Sequence, residues 1–279
     1  MVGSFYRGIA SPRERGEDLS RRSPHPFPAM TSAIFFHALK EASRFRRVAP
    51  WLAMGFLCFL LALLWPRIVP STNPTDSYIS VIALAAVRVL ALGSAILTTA
   101  VIGQEIEGRT IVYLLTRPVP RWLLLLVRYA ASVLVVFVLS AVAFIFTSAG
   151  AFHGGGNPYL LRDLGVILLG AVAYGALFLF ISLAVNRALI WCVLFAFGWE
   201  TAVPTMPGDI YRASILSHLQ AAMQHPKVAG GGILALLGGS PPMTARSGVV
   251  TLIVISAVLL ALSAWWFTRF EFVPREDAE

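Results

Sequence analysis

The chain has 279 residues, 57% of them hydrophobic and only 13% charged, with a mean hydropathy of +0.76 and a formal net charge of +8. A soluble domain carries about 25% charged residues, and several apolar runs here reach the roughly 20 residues that cross a bilayer as helix; soluble α/β folds are excluded in favour of an all-α, polytopic membrane protein. The positive charge points to lipid rather than nucleic acid, because 9 of the 22 Lys and Arg precede the first apolar run, as in a cytoplasmic anchor beside anionic lipid.

Residues 1–29 are polar, rich in Arg, Ser and Pro, and hold no apolar stretch of signal-peptide length, which predicts a disordered basic extension. Met30 then opens MTSAIFFHALKEASRFRR, which reads as a natural protein start, so translation is expected to begin at Met30 and not Met1. Over 30–48, Ile34, Phe35, Ala38 and Ala42 recur at helical spacing behind a Thr31 or Ser32 cap, with Lys40, Arg44 and Arg47 on or beside another face. That pattern predicts an amphipathic helix lying in the membrane interface.

Residues 49–271 divide into six predicted spans. The first covers about 49–65, opened by Pro50; the second covers 78–103 behind a Thr75-Asp76-Ser77 cap signal. The third runs from Trp122 to about Gly150, where HGGGNP ends it, and the fourth from Leu164 to Val185. Asn186-Arg187 predicts a tight hairpin into a short fifth span, 188–203, and the sixth runs from Val249 to Thr268 with Trp265 and Trp266 as its interfacial belt. Residues 272–279 form a short tail. With the N-terminus inside, 16 Lys and Arg fall on the cytoplasmic side and 5 outside, which predicts both termini in the cytoplasm.

The longest outer loop, roughly 204–248, contains Tyr211, Ile215, Leu219 and Met223 every four residues, which predicts an amphipathic helix on the outer surface. The later AGGGILALLGGSPP is apolar but too short to span, and fits an interfacial or re-entrant segment. Cys58 and Cys192 each sit in an apolar run without metal or redox spacing, and read as small buried hydrophobes. His153, His218 and His225 are scattered through the outer loops, so no metal site is expected.

Between the second and third spans lies GQEIEGRTIVYLLTRPVPRW, an island of charge and proline in an apolar chain. Glu105 and Glu107 stand where the second span leaves the membrane. Residues 107–115 can continue as a short helix showing Ile111, Leu114 and Leu115, and RPVPR must end it. Arginines that merely enforce topology account for Arg117 and Arg121, but not for two acids or a hydrophobic helix-length insert. Apolar side chains on such a surface helix call for a partner.

This stretch resembles the signature of ABC-2 type transporter permeases. The matching positions are Glu105, Glu107, Gly108, Arg109, Thr110, Leu114, Leu115, Pro118, Arg121 and Arg128, the last standing where the family often has Lys. An interfacial N-terminal helix, six spans, a large outer loop and the closing WWFTRFEF extend the resemblance over most of the chain, nearest to permeases labelled for multi-copper enzyme maturation. The resemblance implies a prokaryotic plasma-membrane exporter subunit working with a second permease copy. It also implies that the loop after the second span and the interfacial helix dock onto a separate ABC ATPase. No GxxxxGK[ST] phosphate loop occurs in this chain, so it is expected to bind no cofactor, with ATP and magnesium held by the partner.

Three further charges lie in or near the spans. Arg88 is about ten residues into the second span, some 15 Å deep at 1.5 Å rise, and needs a partner there; Asp163 and Glu200 are the candidates, in a structural ion pair or along a cargo path. Gly170, Ala171 and Gly175 predict close helix packing. Two other functional classes compete. An intramembrane CAAX-type enzyme lacks the right Glu-Glu-Arg spacing and a histidine in spans two to five, and an ATPase-independent scaffold or channel leaves the docking chemistry unexplained.

Overall fold

The computed structural model describes residues 27–69, 73–107, 120–206, 209–226 and 243–269. All regular structure among them is helical. In chain order, α1 is Phe27–Ala42, α2 Phe45–Ile68, and α3 the continuous run Pro74–Val81, Ile82–Ala86 and Val87–Glu107, whose middle piece is a π turn. Next come α4 Arg121–Phe152, α5 Leu160–Ala184, α6 Ala188–Ala202 with a π turn at Phe195–Trp199, α7 Ile215–Met223 and α8 Ala245–Arg269.

Five helices among the described residues are long and apolar enough to cross a membrane: α2, α3, α4, α5 and α8. The expected fifth span appears as α6, an apolar helix reaching only about 22 Å at 1.5 Å per residue, against a hydrocarbon core of about 30 Å.

Helix ends differ from the sequence reading where a cap was misassigned. The α1 helix starts at Phe27, before Thr31 and Ser32, and stops at Ala42; residues 45–48 belong to α2, which runs straight through Pro50 and Pro66. Asn73 precedes α3 with Pro74 as its first residue and Asp76 in its first turn, the arrangement a fixed φ and a negative side chain favour. His153 and Arg187 take left-handed conformations (φ 52° and 54°) at the end of α4 and in the three-residue α5–α6 connection.

Lipid tails are as apolar as leucine, so these helices associate by close packing rather than by hydrophobic exclusion. The buried residues of α2 are Trp51, Gly55, Cys58, Ala62 and Trp65, a single stripe repeating every three or four residues. Gly55 sits against Ala143, and Gly150 against the backbone of Phe59 and Leu63, so α2 and α4 run parallel in a fixed register. In that register Phe45 stands level with Val133, and α4 begins twelve residues before α2 does.

The α3, α4 and α5 helices form the centre. The Tyr129 hydroxyl donates to the Val172 carbonyl at 2.7 Å, and Gly175 admits the Tyr129 ring. Gly170 lies under Leu90 and Leu219, and Ala171 is fully buried, so the small-residue stretch of α5 does serve close packing.

Along α1, Ala38 and Ala42 are buried, and the helix packs on α4 and touches α3, with Lys40 and Arg44 exposed. Its apolar side is the predicted one. The α7 helix departs from expectation. Eight of its nine residues are buried, including Ser217 and Ala221 on the side away from Leu219, and His218 and Ala222. It is wedged between α5 and α8, with Gly248 of α8 against the His218 carbonyl, and does not lie on the surface.

Candidate functional site

The two flanks of the charged island come together at one end of the bundle. Glu105 and Glu107 occupy the last turn of α3, and Arg121 is the first residue of α4. Gly108, Arg109, Thr110, Leu114, Leu115 and Pro118 lie outside the described residues. A helix C-terminus carries partial negative charge, which disfavours acids by about 0.3–1 kcal/mol each. The last turn of α3 has no basic residue to offset two of them.

Away from that end lie the three charges placed in or near the spans by sequence, with Arg88 ten residues along α3 from Tyr78. The expected ion pairs of Arg88 with Asp163 or Glu200 are not formed: Arg88 Nη1 donates to the Ala196 carbonyl at 3.3 Å. Ala196 belongs to the π turn of α6, where the widened helix leaves carbonyls poorly matched to internal N–H groups and open to an outside donor. A guanidinium on a backbone carbonyl meets the demand for a partner without burying a second charge.

Glu200, 1% exposed, has donors of its own. Its carboxylate accepts from Ser214 Oγ at 2.7 Å, from the Ile215 N–H at 3.1 Å and from the Leu216 N–H at 2.9 Å. These amides open α7 and have no intrahelical acceptor, and the positive end of the helix favours the carboxylate. The Ser214 side chain in turn caps Ser217. Tyr174 of α5 stands within electrostatic reach of both Glu200 and Arg88.

Asp163, fully buried at the start of α5, accepts from the Tyr78 hydroxyl at 2.8 Å and from His225 Nε2 at 3.0 Å. Tyr78 is at the start of α3 and His225 lies two residues beyond α7. The rings of Tyr78 and Tyr159 meet His225 edge-on, and Arg162 donates to the Gln224 carbonyl at 3.3 Å. Each end of α7 is therefore held by a buried carboxylate from a different helix: Glu200 of α6 at its start, Asp163 of α5 at its finish. Sequence reading named both acids but missed their partners Tyr78, Ser214 and His225. A serine before an apolar helical run was a readable capping signal for Ser214; nothing in the local pattern marked His225.

A family profile described as ABC-2 family transporter protein matches residues 41–203, more than half of the chain. The chain belongs to the ABC-2 transporter family. It is the multi-pass membrane permease component of an ABC-2 transporter, a part that is typically non-catalytic, and membership implies an ATPase partner in general terms. Comparison with curated proteins gives no match. The matched region of this ABC-2 permease takes in Arg88, Asp163, Glu200 and the whole charged island, and stops short of α7 and α8.

Proposed function

We propose that the chain is the permease half of an exporter in the plasma membrane of a prokaryotic cell. Two permease copies work with two ATPase subunits, which hold the ATP and magnesium, and α6 serves as the sixth crossing with both termini in the cytoplasm. The observation that carries the reading is the convergence of α1, the acid-bearing end of α3 and the start of α4 at one end of the bundle. Residues 105–121 join two helices whose far ends reach the Arg88 and Asp163 clusters, so a push on that loop acts directly on the packed centre. Glu105, Glu107, Gly108, Arg109, Thr110, Leu114, Leu115, Pro118 and Arg121 are proposed to form the ATPase-coupling surface. Two acids in the last turn of α3, which holds no basic residue itself, favour a basic groove on the partner.

The α6 path supports six crossings. A three-residue connection joins its start to the end of α5, while Glu200 near its finish caps α7, which packs on Gly248 at the start of α8. A return crossing by α6 fits a path between those two levels. The likeness to permeases labelled for multi-copper enzyme maturation assigns no cargo.

The test is co-purification of the tagged full-length chain with the ATPase encoded beside it. A stable complex that Glu107→Lys or Arg109→Glu disrupts by tenfold or more is expected. Absence of any bound ATPase, with transport unaffected by either substitution, would return the chain to the scaffold or channel class.

A further inference from the structure

The α3 helix runs from the outer cluster through its own π turn at Ile82–Ala86 to Glu107, and it packs on α6, where Arg88 donates to the Ala196 carbonyl. Four residues later along α6, Glu200 holds the first two amides of α7. We infer that Arg88 and Glu200 are positioning residues of the transport cycle: Arg88 holds the π turn of α6, and Glu200 makes α7 follow that turn. The inference rests on the transporter reading, because the motion it transmits starts at the ATPase-coupling end of α3.

A relay needs an element with two discrete states. The π turn Phe195–Trp199 is the element inferred to fill that role. A π turn holds one residue more than an α turn, and expelling it rotates everything downstream by about 100°, the angle per residue of a 3.6-fold helix. Glu200 is the first residue after that turn. While Arg88 occupies the Ala196 carbonyl, the turn is held open and the carboxylate faces the start of α7. Once α3 moves and the guanidinium withdraws, the turn is free to close, and Glu200 swings off its three donors.

At the far end of α7, His225 remains tied to Asp163 of α5. Released at its start and held at its finish, α7 pivots between α5 and α8. The Leu219 side chain, seated over Gly170 beside Leu90, is the contact that such a pivot opens first. Packing alone would not give this arrangement, since a buried structural cap calls for no π turn beside it and no arginine from a third helix on its carbonyl.

Amide exchange of the peptide spanning residues 213–223 reads the relay in the full-length chain, with its ATPase, in nanodiscs, with and without ATP and vanadate. In the parent, nucleotide trapping is expected to speed exchange in α7 at least tenfold. Arg88→Gln should abolish that response while keeping the ATPase bound, and Arg88→Lys, still able to donate to the carbonyl, should keep it. Glu200→Gln reads the second joint independently and should exchange fast without nucleotide. A nucleotide response undiminished in Arg88→Gln, or slow nucleotide-free exchange in Glu200→Gln, overturns the relay alone. So does a parent that binds its ATPase but shows no response; a parent that binds no ATPase overturns the transporter reading and the relay with it.

Discussion

Replacing Gly150 with alanine tests the α2–α4 contact that sets the bundle's register. A Cβ at this position would stand 2.5 Å from the Phe59 carbonyl oxygen, 3.1 Å from Ala62 Cβ and 3.3 Å from the Leu63 nitrogen. Reaching an ordinary 3.4 Å separation from that oxygen requires a retreat of about 0.9 Å. The obstructing atoms are backbone and a Cβ, so no rotamer change can yield the space and the two helices must part. Overpacking of this kind costs about 1–3 kcal/mol, against about 0.5–1 kcal/mol gained by replacing glycine inside a helix. From the middle of both ranges the net loss is about 1 kcal/mol, which lowers Tm by about 2–4 °C for chains near this size. Gly93, with nothing within 4 Å of its Cβ position, is the internal control; its alanine variant keeps or gains stability. Heating the detergent-solubilised protein and measuring the monodisperse fraction by size exclusion reports the apparent Tm. A Gly150→Ala protein as stable as the parent, or a Gly93→Ala protein equally weakened, would refute the packing argument.

Gly248→Ala forces a Cβ to within 2.7 Å of the His218 carbonyl and so displaces α7 itself. Its apparent Tm should fall and the amides of α7 should exchange faster than in the parent; unchanged exchange would mean that α7 does not seat on α8. Asp163→Asn removes the charged acceptor shared by Tyr78 and His225, which should cost about 1.5–3 kcal/mol, whereas Tyr78→Phe removes one hydrogen bond and should cost less in the same thermal assay. Leu161 is 84% exposed beside the Asp163 cluster, so a cysteine there should react with a membrane-impermeant maleimide in intact cells. Cys58 and Cys192 are fully buried and leave the background silent. Labelling only in inverted vesicles would reverse the proposed orientation.

The long helices were legible because the bilayer demands unbroken apolar runs, and α2, α3, α4, α5 and α8 all lie where those runs are. Their ends were less so: Pro50 looked like a helix start, yet the chain tolerates it within α2. The α7 helix was found by its four-residue period but misread in depth. Ser217 and His218 suggest a wet face, whereas both are buried, with His218 Nε2 donating to the Arg212 carbonyl at 2.9 Å, and Ala221 and Ala222 are small because Gly248 brings α8 close to that side.

Charge logic found Arg88, Asp163 and Glu200 and then paired them with one another. Backbone groups were the stronger claimants for two of them. A carbonyl loosened by a π turn and amides at a helix start have no signature in side-chain identity. Asp163 and His225 are sixty-two residues apart, and only the fold joins them.

The offset between α2 and α4 has a consequence for how a partner approaches the membrane. Twelve residues of α4 below the start of α2 amount to about 18 Å of helix, and α3 descends alongside to Glu107. The pair forms a stalk with α1 packed on it, whose α4 part, Trp122 to Val127, is itself apolar. A docked ATPase can then grip the stalk tip. Because the stalk is stiff, a small sideways displacement at its tip becomes a tilt of the two central helices, so leverage is built into the lengths of α3 and α4 themselves.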